Sequence, residues 1–550
     1  MRRRTASVSV LAVLAGLAIS APAEAADIGI ITREGVSLQY ERVAKAVTPV
    51  KGTGATRSDF DGDGRDDLAA TGQPFESKLP HYPTGLVVVR YSSAPQVDYF
   101  TGVLRDVPSC SCFGSAVVAG DFNGDGYDDL AVGDSGEADP QNKTYAGGVW
   151  VIPGSASGLV GGSAIHFNQS SPNVQGEPED YDQFGAVLAA GDINGDGRDD
   201  LAVGAYGEAI GDKADAGSVY VLFGGSTGLT ATGSQYFQQD QAAVPGAAER
   251  NDQFGRALAI GKVNKDRYAD LVIGAPWEND GGGASGSGLV TLMWGSAGGV
   301  SSTGATSVTG AGVHAATGDR FTVAWHLGES LTVGDVNGDG LGEVIAGAPR
   351  AQTPQDNGGL IAVFTGRSAG LSGSAVKIMT QRTAGVPGDP ESFDRFGLTL
   401  AAGDVTGDGK ADVLVGTPGE DIGSTTDAGT VTLLKGSSSG LTGTGAQGFD
   451  QNHSVVPGSA ERWDRFGGTV ALLNLNGTGG LDAVVASAGE EVAGDTPGYA
   501  SGSIAAFHGS SGGLVPQATS WSGASLRTDR ISLLNYGDRI AGPHCGITAI

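Results

Sequence analysis

The stretch Asp121-Phe-Asn-Gly-Asp-Gly-Tyr-Asp-Asp129, followed by Leu-Ala-Val-Gly, recurs along the chain in seven related copies. The copies start at Asp59, Asp121, Asp192, Lys262, Asp335, Asp404 and Asn474. Successive starts lie 62, 71, 70, 73, 69 and 70 residues apart. A near-constant period of this size is the sequence signature of a repeat architecture, in which each unit packs against its neighbours.

The nine residues have the donor groups of a site for a hard cation. In most copies, positions one, three, five and nine carry side-chain oxygens, position seven supplies a backbone carbonyl, and position six is a glycine that permits a sharp turn. Carboxylates held this close repel one another unless a cation lies between them. Position twelve, where an EF-hand has a glutamate, is Ala70, Val132 or Val203, so the residue at position nine has to close the site. The alternative to a calcium loop is a metal-free polar turn.

Five copies meet these requirements, and we expect four or five structural Ca²⁺ ions per chain. The first three copies are complete, Thr406 is a neutral ligand at position three of its copy, and Glu343 is a longer ligand at position nine. The expected ligands, with those at position seven acting through their backbone carbonyls, are Asp59, Asp61, Asp63, Arg65, Asp67, Asp121, Asn123, Asp125, Tyr127, Asp129, Asp192, Asn194, Asp196, Arg198, Asp200, Asp335, Asn337, Asp339, Leu341, Glu343, Asp404, Thr406, Asp408, Lys410 and Asp412.

The two remaining copies are expected to be empty. Lys262 opens the fourth copy in place of a ligand, and Arg267 replaces the glycine at position six. We expect the Lys262 ammonium to take the place of the cation. The seventh copy, which starts at Asn474, keeps a single carboxylate, Asp482.

The first 25 residues have the pattern of a secretory signal. Residues 2–4 are arginines, residues 8–19 form an apolar stretch, and Ala23-Glu-Ala25 is a small-residue cleavage site. The apolar stretch is too short to span a membrane, and no later stretch is long and apolar enough. The sequence therefore predicts cleavage after Ala25 and a secreted, extracellular chain of residues 26–550, with an uncleaved anchor as the alternative.

The composition limits the class of partner. The chain has 33 basic and 61 acidic residues, and without Arg2, Arg3, Arg4 and Glu24 these become 30 and 60, a net charge of −30. Such a charge argues against nucleic acid and anionic membranes as partners. The 94 glycines follow no collagen-like period, which indicates many tight turns. We expect a monomer.

Each repeat also contains four short strand-like runs. In the third unit they are residues 186–190, 201–204, 218–223 and 234–239, separated by glycine-rich turns. Four antiparallel strands with turns between them form one propeller blade, and no segment has helical periodicity. The sequence therefore predicts an all-β fold, a seven-bladed β-propeller with four strands per blade. Because successive strands alternate in direction, the cation loops share one face with the Gly-Ser-x-Gly-Leu turns, and the Gly-Glu loops share the other face with the connections between blades.

Two short motifs flank the cation loops. A Phe-Gly pair precedes five cation loops, and a Gly-Ala-Pro-like triplet follows four of them. The pairs start at Phe113, Phe184, Phe254, Phe396 and Phe466, and the triplets start at Gly204, Gly274, Gly347 and Gly416. The first unit lacks the pair, and the fifth has Phe321-Thr322 in its place. With these motifs, the units resemble the FG-GAP repeat of the integrin α-subunit amino-terminal propeller. The resemblance implies a seven-bladed propeller with Ca²⁺ in hairpin loops, on the face opposite the usual ligand face.

Two sets of residues could carry a function on that opposite face. Glu179, Glu249, Glu391 and Glu461 each stand three residues before Asp182, Asp252, Asp394 and Asp464. Because a catalytic pair should occur once, we interpret these four pairs as a scaffold latch between blades. The aromatic residues that differ between units are Tyr181, Tyr206, Trp277, Phe393 and Trp463, for which packing between blades and ligand contact both remain open.

A ring of repeats needs a closing strand, and the first unit has no strand-like run before its cation loop. Residues 529–538 are similar to residues 394–404, which contain the first strand of unit six. We predict that residues 531–536 form the inner strand of blade one and pair near residues 67–70. The alternative is that residues 37–43 fill the seam.

The three cysteines bear on the same closure. Closure by residues 531–536 brings Cys545 towards Cys110 and Cys112, and a disulfide to either would lock the ring. A Cys110–Cys112 bond and three free thiols remain open alternatives.

These observations favour a secreted, calcium-stabilised scaffold for binding or adhesion to an extracellular protein or glycan, without enzymatic activity. A carbohydrate-binding propeller is the first alternative, and a hydrolase or lyase acting on polysaccharide is the second. No acid–base constellation unique to one unit supports catalysis, so no catalytic residue is predicted.

Overall fold

A computed structural model describes most of the chain. The described residues are 27–42, 57–77, 85–93, 97–103, 112–139, 141, 144–279, 286–317, 325–352, 357–454, 456, 458–492, 500–522 and 531–534. Within these ranges, seven antiparallel sheets form the blades of a β-propeller, which confirms the predicted fold class. No helix in the described part of the chain is long and apolar enough to cross a membrane.

The blades follow one another along the chain. Blade one contains β1 (Asp27–Arg33), β2 (Val36–Arg42), β3 (Leu68–Ser77), β4 (Leu86–Arg90), β5 (Val97–Val103) and β30 (Ile531–Leu534). Blade two contains β6 (Phe113–Gly120), β7 (Asp129–Asp134), β8 (Gly148–Ile152) and β9 (Ile165–Phe167). Blade three contains β10 (Val187–Gly191), β11 (Asp200–Ala205), β12 (Ser218–Phe223) and β13 (Thr230–Phe237). Blade four contains β14 (Ala257–Gly261), β15 (Asp270–Ala275), β16 (Leu289–Ser296) and β17 (Gly299–Thr309).

The last three blades repeat the same order. Blade five contains β18 (Ser330–Gly334), β19 (Glu343–Ala348), β20 (Leu360–Phe364) and β21 (Val376–Met379). Blade six contains β22 (Thr399–Gly403), β23 (Asp412–Thr417), β24 (Thr430–Lys435) and β25 (Thr442–Phe449). Blade seven contains β26 (Thr469–Leu473), β27 (Asp482–Ser487), β28 (Ser503–Ser510) and β29 (Gly513–Ser522). The fifth unit therefore has its first strand, although Phe321 and Thr322 lie outside the described residues.

In the described part of the chain, one α-helix and two short 3-10 helices, Gly161–Ser163 and Gly373–Ala375, depart from the all-strand expectation. The α-helix α1 (Gly310–Thr317) lies in the connection between blades four and five, after the unusually long strand β17. The unit that contains it also has the longest repeat interval, 73 residues from Lys262 to Asp335. The extra length gives this connection room for two turns of helix. The sequence of this segment has no strong helical periodicity, so the helix was not predicted.

Blade one closes the ring as predicted, with a different register. β30 is the innermost strand of this blade and pairs antiparallel with β3. The pairs run from Gln73 with Leu534 to Ser77 with Ile531, rather than near residues 67–70. The predicted register was wrong because β3 has ten residues, against six in the equivalent strands of the other blades, and offers pairing partners further along. Residues 535 and 536 lie outside the described residues.

The amino-terminal strands lie at the opposite edge of the same blade. β2 pairs with β5, and β1 pairs with β2, so blade one has six strands instead of four. The alternative in which residues 37–43 fill the seam was therefore wrong. The added hairpin covers the outer edge of β5, which would otherwise expose unpaired backbone groups. Because Cys110 and Cys545 lie outside the described residues, the predicted disulfide stays a prediction.

The core consists of the faces between neighbouring blades. Every residue of β11 (Asp200–Ala205) is buried, because this strand packs against a blade on each side. Val118 and Val151 of blade two pack with Leu188 and Val203 of blade three in one apolar cluster. This explains why the Leu-Ala-Val-Gly segments after the cation loops are continuously apolar instead of alternating.

The Phe-Gly pairs and the Gly-Ala-Pro-like triplets of neighbouring blades meet at these faces. Phe254 is fully buried, and its N–H donates to Ala216 O of the preceding blade at 2.9 Å. Gly255 has φ 91°, a left-handed conformation that favours glycine. A Cβ on Gly204, the first residue of the triplet in blade three, would lie 2.4 Å from Gly255 O. Both glycines are therefore required where two backbones approach this closely.

We expect the Gly204→Ala variant to lower the melting temperature. The added methyl group forces two blades apart, an overpacking that costs about 1–3 kcal/mol. The matched control is Gly298→Ala, where a Cβ would lie 3.8 Å from the nearest atom, in an exposed turn. Calorimetry of both variants is the measurement, and equal melting temperatures would contradict the close-approach argument.

Candidate functional site

The cation loops turn their side-chain oxygens inward. In blade two, the Asp121 carboxylate accepts the N–H groups of positions four, five and six at 2.7–3.1 Å. Asn123 Oδ1 accepts the Asp125 N–H at 2.7 Å, and Asp125 Oδ1 accepts the Tyr127 N–H at 2.9 Å. The backbone of each loop thus holds the oxygens of positions one, three and five on the inside of one tight turn.

Two glycines make this turn possible. At position six, Gly126 has φ 88°, as the sequence predicts. At position four, Gly124 has φ 74°, a requirement that the sequence analysis missed. The signal was present, because position four is glycine in six copies and Lys265 in the fourth.

Position nine ties each loop to its own blade. Asp129 Oδ1 accepts the N–H of Gly154, in the turn between β8 and β9, at 2.9 Å. Asp200 and Gly224 form the same bond at 2.9 Å in blade three. These contacts confirm that the cation loops and the Gly-Ser-x-Gly-Leu turns share one face. Burial raises the pKa of Asp129 to about 8 and the pKa of Asp200 to about 7.

The loop of blade one best fits a cation. Asp59, Asp61 and Asp63 each place one carboxylate oxygen within 4.8 Å of the others, and Asp59 and Asp61 are buried. Burial first, and then the charges of Asp61 and Asp63, raise the pKa of Asp59 to about 6. Arg65 Nη2 lies 2.8 Å from Asp63 Oδ2. Three carboxylates in one turn are the donor set of a Ca²⁺ site, although ion binding itself stays a prediction.

The two degenerate loops keep the hydrogen bonds of their position-nine carboxylates. In blade four, Lys262 is exposed, while Asp270 still accepts the N–H groups of Val263 and Gly295 at 3.0 Å. In blade seven, Asp482 Oδ1 accepts Asn476 Nδ2 at 2.7 Å. The left-handed turn is retained in blade seven, at Gly477 and Gly479, whereas neither Lys265 nor Arg267 of blade four has a positive φ.

Neighbouring cation loops are joined to one another by a ring of backbone hydrogen bonds. The N–H of position eight in each loop donates to the C=O of position one in the preceding loop, at 2.6–3.1 Å. The seven donors and acceptors are Asp128 and Asp59, Asp199 and Asp121, Ala269 and Asp192, Gly342 and Lys262, Ala411 and Asp335, Leu481 and Asp404, and Asp66 and Asn474. The last pair joins blade one to blade seven, so the ring closes.

Three position-eight aspartates strengthen this ring, and the sequence analysis missed them. Asp128 Oδ2 accepts the Asp59 N–H at 2.7 Å, and Asp199 Oδ2 accepts the Asp121 N–H at 3.1 Å. Asp66 Oδ2 accepts the N–H of Asn474 at 2.6 Å. Burial raises the pKa of Asp128 well above its usual range. The only sequence signal was the Asp-Asp pair at positions eight and nine of the first three copies.

The opposite face carries the repeated acidic pairs. Glu179 N donates to Asp182 Oδ2 at 2.7 Å within the connection from blade two to blade three. The link between blades comes from a residue that the sequence analysis missed, because Gln169 Nε2 reaches Glu208 Oε2 of blade three at 2.7 Å. Burial first, and then the charge of Asp182, raise the pKa of Glu208 to about 8.

In blade two, the glutamate equivalent to Glu208 contacts a histidine instead of a glutamine. His166 Nε2 lies 2.7 Å from Glu137 Oε1, and Nδ1 lies 3.2 Å from Glu34 Oε2. Burial alone would lower the pKa of His166, but the charge of Glu137 and the hydrogen bonds to Glu137 and Glu34 outweigh it and raise the pKa to about 9. An imidazolium therefore neutralises the buried Glu137 carboxylate.

Three aromatic side chains project from this face into solvent. Tyr181 and Phe393 are each 69% exposed, and Trp463 is 52% exposed. They occupy the same position in three blades, directly before the repeated aspartate, with φ between 71° and 77°. Asn251 occupies it in blade four. Packing between blades is therefore excluded for these three residues.

The other two aromatics of this face contact neighbouring side chains. Trp277 is 37% exposed, and its ring centroid lies 4.0 Å from that of His326. The Tyr206 ring is only partly buried, with the Arg256 guanidinium 4.3 Å from its centroid.

These features define a repeat propeller with cation-type loops on one face. The family model described as "FG-GAP repeat" matches residues 113–152, 184–222, 254–293, 327–364 and 396–434. The chain is an FG-GAP repeat β-propeller that is similar to integrin α-subunits, as the sequence predicted.

Curated relatives include a phospholipase D and an integrin α-subunit. The chain is 29% identical over 378 residues to phosphatidylinositol-glycan-specific phospholipase D of Bos taurus, which covers 68% of this chain and 43% of the relative. It is 31% identical over 222 residues to integrin alpha-PS2 of Drosophila melanogaster, which covers 40% of this chain and 14% of the relative. The chain thus spans less than half the length of either protein.

A solved structure with a related outline is an exotype rhamnogalacturonan lyase. The match covers 84% of this chain and 72% of the lyase, with 14% identity and a TM-score of 0.36. A TM-score this low carries no argument about activity.

We expect the triple variant Lys262→Asp, Lys265→Gly, Arg267→Gly to gain a cation site in blade four. The changes restore the ligand at position one and the two left-handed glycines, while Asn264, Asp266 and Asp270 are already in place. Native mass spectrometry in calcium should show one more bound ion than in the wild type. The matched control is the double variant without Lys265→Gly, which lacks the turn at position four and should gain none. An unchanged ion count in a folded triple variant would contradict the ligand assignment.

Proposed function

We propose that the chain is a secreted, calcium-stabilised propeller that binds an extracellular or cell-surface ligand without catalysing a reaction. The observation that carries the proposal is the set of exposed aromatics at equivalent positions of the face opposite the cation loops. A ligand that contacts Tyr181, Phe393 and Trp463 would bury apolar surface that the folded chain leaves in water.

The left-handed backbone at these positions disfavours aromatic residues, so the stability of the fold does not explain their presence. A non-glycine residue in the left-handed region costs about 1–3 kcal/mol, least for asparagine, which is the residue of blade four. Neither packing nor backbone preference therefore accounts for a tyrosine, a phenylalanine and a tryptophan there. Strain of this kind is typical of functional surfaces.

Positive charge accompanies the aromatics. The Arg462 guanidinium lies 4.0 Å from the centroid of the Trp463 ring. Arg395 and Arg465 each follow a repeated aspartate, and burial together with the neighbouring Arg350 and Arg465 lowers the pKa of Arg395. In a chain of net charge −28, arginines collected at one face favour a ligand with anionic groups.

A carbohydrate ligand is the second candidate. Single exposed aromatics at the same position of three blades suit the stacking of sugar rings at separate subsites. An enzyme is supported by the phospholipase relative alone, because the acidic groups of this face recur in four blades instead of forming one site.

In the cation loops, Ca²⁺ would be held by the side chains of positions one, three, five and nine and by the carbonyl of position seven. The ion supplies the positive charge that allows buried carboxylates such as Asp59 and Asp129 to stay ionised. We expect it at the copies that start at Asp59, Asp121, Asp192, Asp335 and Asp404.

Chelation with EDTA should lower the melting temperature, since each site saturated at 100 times its Kd contributes about 2.7 kcal/mol.

The chelated protein should also become less stable as the pH rises. Its carboxyl pKa values are raised on folding, from about 4 to about 6 for Asp59 and about 8 for Asp129, so protons stabilise the folded state. That stability is lost between about pH 4 and pH 8. Calorimetry with and without calcium measures both effects, and a melting temperature indifferent to EDTA would contradict the calcium assignment.

The triple variant Tyr181→Asn, Phe393→Asn, Trp463→Asn tests the binding face. Asparagine retains the left-handed turn, as Asn251 does, so the fold should be kept and the melting temperature should not fall. The wild type and the variant are applied to a glycan array and to an array of extracellular proteins, and we expect at least a tenfold loss of binding on the array that the wild type binds. The matched control is Tyr268→Asn on the cation-loop face. Unchanged binding in the triple variant would place the ligand elsewhere, and the array that responds separates the protein ligand from the glycan.

A further inference from the structure

The junction between blades three and four contains a group of acidic side chains away from the cation loops. One carboxylate oxygen from each of Glu249, Asp252 and Glu278 lies within 4.8 Å of the others. Asp252 is fully buried and Glu278 is 7% exposed, whereas Glu249 reaches solvent. Carboxylates this close in a partly dry site repel one another strongly unless a positive charge lies among them.

Two buried oxygens at this junction have no hydrogen-bond donor. Asp252 Oδ2 accepts the Glu249 N–H at 2.5 Å, but Asp252 Oδ1 has no partner. Gln239, only 2% exposed, donates from Nε2 to Glu278 Oε2 at 2.5 Å, and its Oε1 has no partner either. A buried acceptor without a donor costs about 1–3 kcal/mol. A cation can satisfy carboxylate and amide oxygens together.

The same four residue types recur at three other junctions with the spacing of Gln239, Glu249, Asp252 and Glu278. The sets are Gln169, Glu179, Asp182 and Glu208; Gln381, Glu391, Asp394 and Glu420; and Gln451, Glu461, Asp464 and Glu490. Gln169 Oε1 and Gln381 Oε1 are again buried without a partner. A Cβ built on Gly358 would lie 2.8 Å from Gln381 Oε1 and 3.1 Å from Asp394 Oδ2, so the amide oxygen and the carboxylate face the same point.

Blade two indicates what such a junction requires. Glu137 occupies the place of Glu278, and the chain supplies its own cation there, the imidazolium of His166 at 2.7 Å. The second unit has no Glu-x-x-Asp pair before Phe113. Where the pair is present, the additional carboxylates increase the negative charge.

We propose that Gln239, Glu249, Asp252 and Glu278 bind one divalent cation, in addition to the ions of the cation loops. Calcium suits the group better than magnesium, because Ca²⁺ accepts six to eight oxygens in irregular geometry. The exposed Glu249 gives the ion a route from solvent and leaves room for water ligands. The ion joins blade three to blade four, since Gln239 follows β13 and Glu278 follows β15.

The test uses the full chain at pH 7 in calcium, with the ions counted by native mass spectrometry. Asp252→Asn and Glu278→Gln each remove one charged ligand, and the amide oxygen introduced by Asp252→Asn can still accept the Glu249 N–H. We expect each variant to hold one ion fewer than the wild type. Asp212→Asn, which changes an exposed acid on the same face, is the matched control and should keep the full count. Equal counts in all four proteins would overturn the proposal and would mean that a shared proton holds the carboxylates together.

A second measurement does not depend on the folding of these variants. Terbium(III), a luminescent calcium substitute, should be sensitised by Trp277, the neighbour of Glu278. We expect Trp277→Phe, which leaves all four proposed ligands intact, to reduce the terbium emission excited through tryptophan. Unchanged emission would overturn the proposal. The Asp121→Asn variant distinguishes this site from the cation loops. It removes a ligand of one loop but should leave the terbium emission that Trp277 sensitises unchanged.

Discussion

Seven backbone hydrogen bonds, each from the N–H of position eight in one cation loop to the C=O of position one in the loop before it, connect all the blades at one face. Positions one and eight belong to the same nine residues that carry the proposed ion ligands. The geometry of each loop is therefore set by its neighbours as well as by its own sequence. The bond from Asp66 to Asn474 completes the ring between the first and last blades, and the pairing of β30 with β3 closes the same junction.

The other face is held by close approach of backbones. Phe-Gly and Gly-Ala-Pro-like segments meet there with no room for a Cβ, and the repeated aspartates turn back onto their own connections. Burial of carboxylates is common to both faces, and in both it follows from the blades packing so tightly. The proposed ions would neutralise buried carboxylates at the places where no lysine, arginine or histidine of the chain is close enough to do so.

Comparison of the repeats distinguishes residues that recur for structural reasons from residues that differ between blades. Glycines, buried phenylalanines and inward aspartates recur because every blade meets the same packing problem. Tyr181, Phe393 and Trp463 differ from blade to blade and stand exposed on strained backbone, so selection for packing does not explain them. The face that we propose to bind a ligand therefore differs from the scaffold in one respect: its side chains vary between blades at a position where the backbone conformation stays the same.

The sequence by itself determined the fold class, the number of blades and the loops that could hold ions, because each depends on a local pattern repeated at a fixed interval. It also located the closing strand, since residues 529–538 resemble a segment of a complete unit. The register of β30, the added hairpin β1–β2 and the link from Gln169 to Glu208 were decided only by the tertiary structure. These contacts join segments tens to hundreds of residues apart, and their partners are selected by how the closed ring brings blade edges together. Nothing in the local pattern of the chain carries that information.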